Sequence, residues 1–133
     1  MPNSVFDSYA VLAFLFGEPG AGQVEGLLNA AATSGQRVLI CSVNWAEVLY
    51  MSRRKREEKG LAGARGFART MPVELIPADQ TLAEAAAEFK AAHKLSLADA
   101  FAAALAAQRG AELVTGDPEF KPLDGTISLR WLP

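Results

Sequence analysis

The sequence has one cysteine, Cys41, and one histidine, His93, in 133 residues. A single thiol excludes an internal disulfide framework and a zinc centre built on cysteines, and a single imidazole excludes a histidine-rich metal site. No run of ~20 uncharged apolar residues is present, the length a helix needs to span a bilayer. No basic stretch precedes the first apolar residues, and Asp7 and Glu18 flank the first apolar segment, a pattern unlike a secretory signal. Positive charge is not in excess either. Lys and Arg number 13 against 15 Asp and Glu, a formal net charge of -2, so the chain lacks the overall basic character of many nucleic-acid binders. A carboxylate cluster around a cation would by itself pull that sum negative. The expectation is a reducing, cytoplasmic setting with no membrane contact.

What is present is an apolar, patterned chain. Hydrophobic residues make up 50% and charged residues 21%, the balance of a globular protein, and the length suits one domain over residues 1–133. Ser4-Val5-Phe6-Asp7 is a short apolar run ending in an acid. Helical potential from Tyr9 to Phe16 stops at Gly17-Glu18-Pro19-Gly20, a turn signal, and a second helix runs from Gln23 to about Ala32. Val38-Leu39-Ile40-Cys41 is a continuous apolar run, as expected of a strand covered on both faces. A helix from Ser42 to about Lys59 follows, ended by Gly60, with a shorter helix from Leu61 to Thr70. Val73-Glu74-Leu75-Ile76 reads as a strand, and a helix starting at Asp79 or Thr81 reaches about His93. The Ser96 helix runs to about Gln108, Glu112 to Thr115 is the next strand, and Ile127 to Trp131 is the last. Strands alternating with helices predict an α/β fold with a mainly parallel sheet.

Four acids stand at the edges of these elements: Asp7, Glu47, Asp99 and Asp117. Each has a local structural role open to it. Asp7 can cap the helix that follows. Glu47 can pair with Asn44, and Asp99 with Ser96, as the return arms of capping boxes, and Asp117 before Pro118 has the form of a helix N-cap. Taken together they allow a second reading. Ligands in parallel α/β sheets bind beyond the carboxyl ends of the strands, where the crossover direction reverses. Asp7 and Asp117 both follow strands, so four carboxylates can meet at one edge. Two like charges ~4 Å apart repel by about 1 kcal/mol in water and about 4 kcal/mol at an effective dielectric of about 20. Such a cluster calls for protons or cations, and hard divalent ions prefer oxygen ligands. Two such ions roughly 3.5–4 Å apart can activate water and stabilise the leaving oxygen of a phosphodiester. His93 reads as a helix-end residue and Cys41 as a buried strand residue.

The segments carrying these acids are Val5-Phe6-Asp7-Ser8-Tyr9-Ala10, Asn44-Trp45-Ala46-Glu47-Val48, Leu95-Ser96-Leu97-Ala98-Asp99-Ala100 and Leu113-Val114-Thr115-Gly116-Asp117-Pro118-Glu119-Phe120. In this order they resemble the four motifs of the PIN-domain ribonucleases, most of all the VapC toxins of bacterial VapBC toxin–antitoxin pairs. The resemblance covers essentially the whole chain. It implies a three-layer α/β/α fold, Mg²⁺- or Mn²⁺-dependent cleavage of RNA, inhibition by a VapB antitoxin, and a homodimer or larger assembly. It also implies a site of Asp7, Glu47, Asp99 and Asp117. Asp7 and Asp99 would be direct metal ligands, Glu47 and Asp117 would act directly or through water, and Thr115 would orient the last acid or a water. A catalytically silent PIN-like module whose acids only cap helices is the alternative. Phosphotransfer domains of similar topology fit poorly, because Asp7 is followed by Ser8-Tyr9 and not by a second acid.

Arg53-Arg54-Lys55-Arg56 precedes Glu57-Glu58-Lys59. The run reads either as a solvated helix end with intrahelical pairing or as an RNA-phosphate contact through Arg53 and Arg54, with Arg65, Arg69 and Lys90 as possible extensions. Tyr9, Phe14, Phe16, Trp45, Tyr50 and Phe67 are core residues or the walls of a groove for an antitoxin helix. Trp131 reads as packing.

Overall fold

A computed structural model describes residues 3–133. Five short strands, β1 (Ser4–Phe6), β2 (Val38–Cys41), β3 (Val73–Ile76), β4 (Glu112–Thr115) and β5 (Leu129–Trp131), form one sheet in the order β3-β2-β1-β4-β5. Every pairing is parallel, with Val5 opposite both Leu39 and Leu113. Parallel strands need crossovers, and helices supply them: α1 (Ser8–Leu15), α2 (Ala21–Ser34), α3 (Ser42–Thr70), α4 (Gln80–Ala92) and α5 (Leu97–Arg109). A short 3₁₀ helix, Pro118–Leu123, follows β4 and lies in a stretch with no element in the sequence-based reading.

Alternation along the strands divides the core into two layers. Val5, Leu39, Cys41 and Leu113 face one side and pack with Leu82 and Ala86 of α4 and with Ala100 to Ala106 of α5. Phe6, Val38, Ile40 and Val114 face the other and pack with Val11 of α1, Val24 and Leu28 of α2, and Val48 and Phe67 of α3. The result is the expected α/β/α sandwich. All four residues of β2 are buried, which is why its sequence does not alternate. Among the described residues no helix is long and apolar enough to cross a membrane.

Two expectations about α3 need correction. Its break falls at Arg56 (φ −138°, ψ 19°) and Glu57 (φ 53°, ψ −134°), not at Gly60. Gly60 lies within the second helical segment, where an added Cβ would stand 2.0 Å from the Ser52 carbonyl oxygen. Glycine is needed there for the close approach of the two segments, and it does not end the first. The capping box of Asn44 and Glu47 does not form either. The helix starts at Ser42, so Asn44 already lies inside the first turn, fully buried, and its Nδ2 donates to the Ala98 carbonyl of α5 at 3.1 Å.

Candidate metal centre at the sheet edge

β1 is the central strand, and β4 lies beside it on the side away from β2. The direction of the crossovers across the sheet therefore reverses between β1 and β4, and the carboxyl ends of these two parallel strands open into the crevice expected at such a switch point. Asp7 directly follows β1, and Asp117 lies two positions past the end of β4, after Gly116. The N-terminal turn of α5 brings Asp99, and the first segment of α3 brings Glu47. All four acids line one cleft of about 330 Å³, together with Ser8, Tyr9, Leu12, Met51, Ser96 and Glu119.

Asp7 is the most enclosed of them. One carboxylate oxygen accepts from the Ala10 backbone N–H at 2.9 Å, so Asp7 does cap α1. The other accepts from the buried Thr115 hydroxyl. The same hydroxyl oxygen accepts from the Asp117 backbone N–H at 3.0 Å, so Thr115 ties the ends of β1 and β4 together. Burial raises the Asp7 pKa to about 7, against the lowering effect of the Thr115 and Ala10 bonds; the charges of Asp117 and Glu47 push it the same way as burial. Asp99 is raised to about 8, first by burial, then by the Asp117 charge, the Glu119 side chain and Asp7.

The capping roles are shared out unevenly. Ser96 caps α5 by accepting from the Asp99 N–H at 3.1 Å, but the Ser96 N–H bonds Glu119 at 3.3 Å, so Asp99 is not the return arm of a box. Glu47 is bound by the Ser8 hydroxyl at 2.5 Å. Asp117 caps the 3₁₀ helix with one oxygen, which accepts from the Glu119 N–H at 2.9 Å.

Sequence reasoning missed two residues of this cleft that matter. Glu119 contributes a carboxylate oxygen that lies, with one each from Asp99 and Asp117, within a 4.8 Å cluster. The Asp117-Pro118-Glu119 spacing at the start of a 3₁₀ turn was the available signal. Ser8, which orients Glu47, gave none, because the bond spans 39 positions in the chain. The donor set fits a hard divalent cation. It consists of oxygens alone, burial and then the neighbouring carboxylates raise two of its pKa values, and it opens to solvent on one side.

A PIN-domain family model matches residues 4–125. The chain belongs to the PIN-domain family. Solved structures agree with this PIN fold. A chain from the VapBC2 complex of Rickettsia felis, bound to a DNA fragment of its promoter, is 18% identical over 98% of both chains with a TM-score of 0.80. One from DNA-bound VapBC of Salmonella typhimurium is 21% identical over 98% of both, at 0.79. The Mycobacterium tuberculosis toxin VapC20, described as cleaving the Sarcin-Ricin loop, is 17% identical over 90% of this chain and 94% of its own, at 0.72. At these identities the likeness is one of fold. No curated protein matches the chain.

The basic run is divided by its surroundings. Arg54 and Lys55 line a cavity next to the cleft, whereas Arg53 pairs with Glu58 at 3.1 Å. Arg65, Arg69 and Lys90 line neither space; Lys90 donates to the Leu95 carbonyl at 2.8 Å. Of the aromatic residues, Phe14, tilted, and Trp45, stacked, pack on Phe67 against the core, with ring centroids 5.7 and 6.4 Å from it. Tyr9 and Tyr50 are exposed. His93 ends α4, and the buried Cys41 thiol is raised by desolvation.

Proposed function

We propose that this PIN domain is a Mg²⁺- or Mn²⁺-dependent endoribonuclease that hydrolyses RNA phosphodiester bonds as the toxin of a VapBC-type pair. The observation that carries the reading is the convergence of five carboxylates, Asp7, Glu47, Asp99, Asp117 and Glu119, on one open cleft at the switch point of the sheet. Asp7 and Asp99 would hold the metal directly. Asp117, with Glu119 beside it, and Glu47 would do so directly or through water. The bound ion would supply an acidified water and a positive charge to offset the negative charge that develops on the phosphodiester oxygens. The chain's own residues keep the carboxylates in register. Thr115 fixes Asp7 and the backbone of Asp117, and Ser8 fixes Glu47. The open side of the cleft admits a polymer.

A VapB-type antitoxin as partner is supported by the VapBC complexes among the structural relatives, and a homodimer belongs to the same reading. One observation favours the alternative of a silent module: Asp7 and Asp117 both cap helix starts. Thermal melts with and without Mn²⁺, paired with an RNA-cleavage assay, separate the two. A ligand that binds only the folded state raises the midpoint. The nuclease reading expects Mn²⁺ to stabilise the wild type and to support cleavage, and Asp99→Asn to lose both effects. No shift and no cleavage in the wild type would leave the silent module standing.

A further inference from the structure

The acidic cleft does not end at the carboxylates. Leu12 and Met51 line it and also line a second cavity, of about 400 Å³, between the end of α1 and the first segment of α3. The remaining walls of that cavity are Phe16, Glu18, Arg54 and Lys55. Its volume falls within the roughly 300–1,000 Å³ typical of small-ligand pockets. Leu12 and Met51 form its junction with the cleft, and Phe16 with three charged side chains borders the rest.

The cations around it are not equivalent. Arg53 pairs with Glu58 at 3.1 Å. Lys55 lies 3.8 Å from Glu18 and 4.5 Å from the centre of the Phe16 ring, and the Arg56 guanidinium lies 4.8 Å from that ring. Among the described residues Arg54 enters no ion pair and no side-chain hydrogen bond. It is the uncommitted cation of the run, and it stands on the wall of a cavity that adjoins the cleft of five carboxylates through Leu12 and Met51. An arginine there can hold a phosphate by a forked pair of charge-assisted bonds.

We propose that this cavity is a nucleotide subsite of the nuclease, in which the base next to the scissile phosphate packs on Leu12 and Met51 while Arg54 holds its phosphate. The proposal rests on the ribonuclease reading of the acidic cleft. Phe16, under Lys55 and Arg56, adds an aromatic face to the cavity wall. A base held in this way is unstacked from its neighbours, so the strand enters as single-stranded RNA. Arg54, and not Arg53, is then the residue of the basic run that touches substrate.

The test is fluorescence anisotropy with a fluorescein-labelled single-stranded RNA of mixed sequence and an abasic strand of equal length. Ca²⁺ replaces Mg²⁺ to keep the probe intact. Arg54→Ala is expected to weaken binding of both strands on the order of tenfold and to reduce the salt slope by about one. Arg53→Ala changes neither. Met51→Ala weakens binding of the RNA but not of the abasic strand. If the wild type binds RNA and Arg54→Ala binds it equally well, with the same salt slope, the subsite is wrong and the cavity is left to an apolar helix of a protein partner. Equal losses on both strands in Met51→Ala would overturn the base contact. A wild type that binds no RNA overturns the ribonuclease reading, and the subsite falls with it.

Discussion

The backbone N–H of Ser96 is bonded by the carboxylate of Glu119, at 3.3 Å, and not by that of Asp99 three residues along its own helix. The first turn of α5 is thus completed from the turn after β4. Asp99 keeps its carboxylate unspent, buried beside Asp117 and Glu119.

Asp99→Asn should therefore stabilise the metal-free protein. Were Asp99 a capping arm, the substitution would lower the melting temperature. Here it removes a charge held in an unfavourable place and leaves the Ser96 cap intact, because that cap uses the Asp99 backbone N–H. In EDTA above the raised pKa of about 8, the midpoint should rise by on the order of 4 °C for each kcal/mol of relieved repulsion. A lower midpoint would return Asp99 to a structural role.

The pH dependence of metal-free stability has a definite sign. Asp7 and Asp99 have folded pKa values of about 7 and about 8, above the ordinary 3.8. The folded state therefore binds more protons than the unfolded chain between these limits. Their contribution is fully present below about pH 4 and is lost as pH rises through 7 and 8. Melts in EDTA should fall across that window, and Asp7→Asn with Asp99→Asn together should flatten the fall. Mn²⁺ should reverse the trend in the wild type, because a cation binds the deprotonated carboxylates and releases their protons. Stability that rises with pH in EDTA would contradict the crowding of these acids.

Much of this architecture could be read from residue order. β2, β3 and β4 match the segments Val38–Cys41, Val73–Ile76 and Glu112–Thr115 to the residue. β2 is buried throughout and leaves an uninterrupted apolar signal, whereas β3, an edge strand with Glu74 and Leu75 exposed, is delimited by Pro72 and Pro77. The four sequence-derived acids do share one cleft, since topology alone brings the ends of β1 and β4 together. What could not be read depends on long-range contacts. The Asn44–Glu47 spacing imitates a capping box, but α3 begins earlier, so Asn44 serves α5 and Glu47 is bound by Ser8. The bond from the Ser96 N–H to Glu119 was hidden because the two lie 23 positions apart.

Thr115→Val tests the bridge between the two strand ends. Valine keeps the shape and loses the hydroxyl, so Asp7 loses a donor and the Asp117 N–H loses its acceptor. Leaving a buried polar group unpaired costs about 1–3 kcal/mol. The variant should melt lower, its Asp7 should titrate higher than in the wild type, and Mn²⁺ should bind more weakly. Thr115→Ser should recover all three. If serine fails to restore metal affinity while restoring the melting temperature, Thr115 serves the fold and not the cleft.

The kink in α3 makes opposite predictions at two positions four residues or fewer from the basic run. Glu57 is the single non-glycine residue with positive φ among those described, at 53°, a conformation in which an L side chain crowds its own backbone. Glu57→Gly should relieve that strain and raise stability by about 1 kcal/mol, less the entropy glycine gains in the unfolded chain. Gly60→Ala should do the reverse. Its methyl would stand 2.0 Å from the Ser52 carbonyl oxygen, a backbone atom that cannot rotate aside, so the two helical segments must separate. Overpacking of this kind costs about 1–3 kcal/mol. Ser52 and the cavity residues Met51, Arg54 and Lys55 share the first segment, so that separation also moves the wall beside the cleft. Urea melts of both variants give the stabilities. Equal destabilisation by the two substitutions would mean that the kink is an ordinary flexible joint, with neither strain at Glu57 nor a close approach at Gly60.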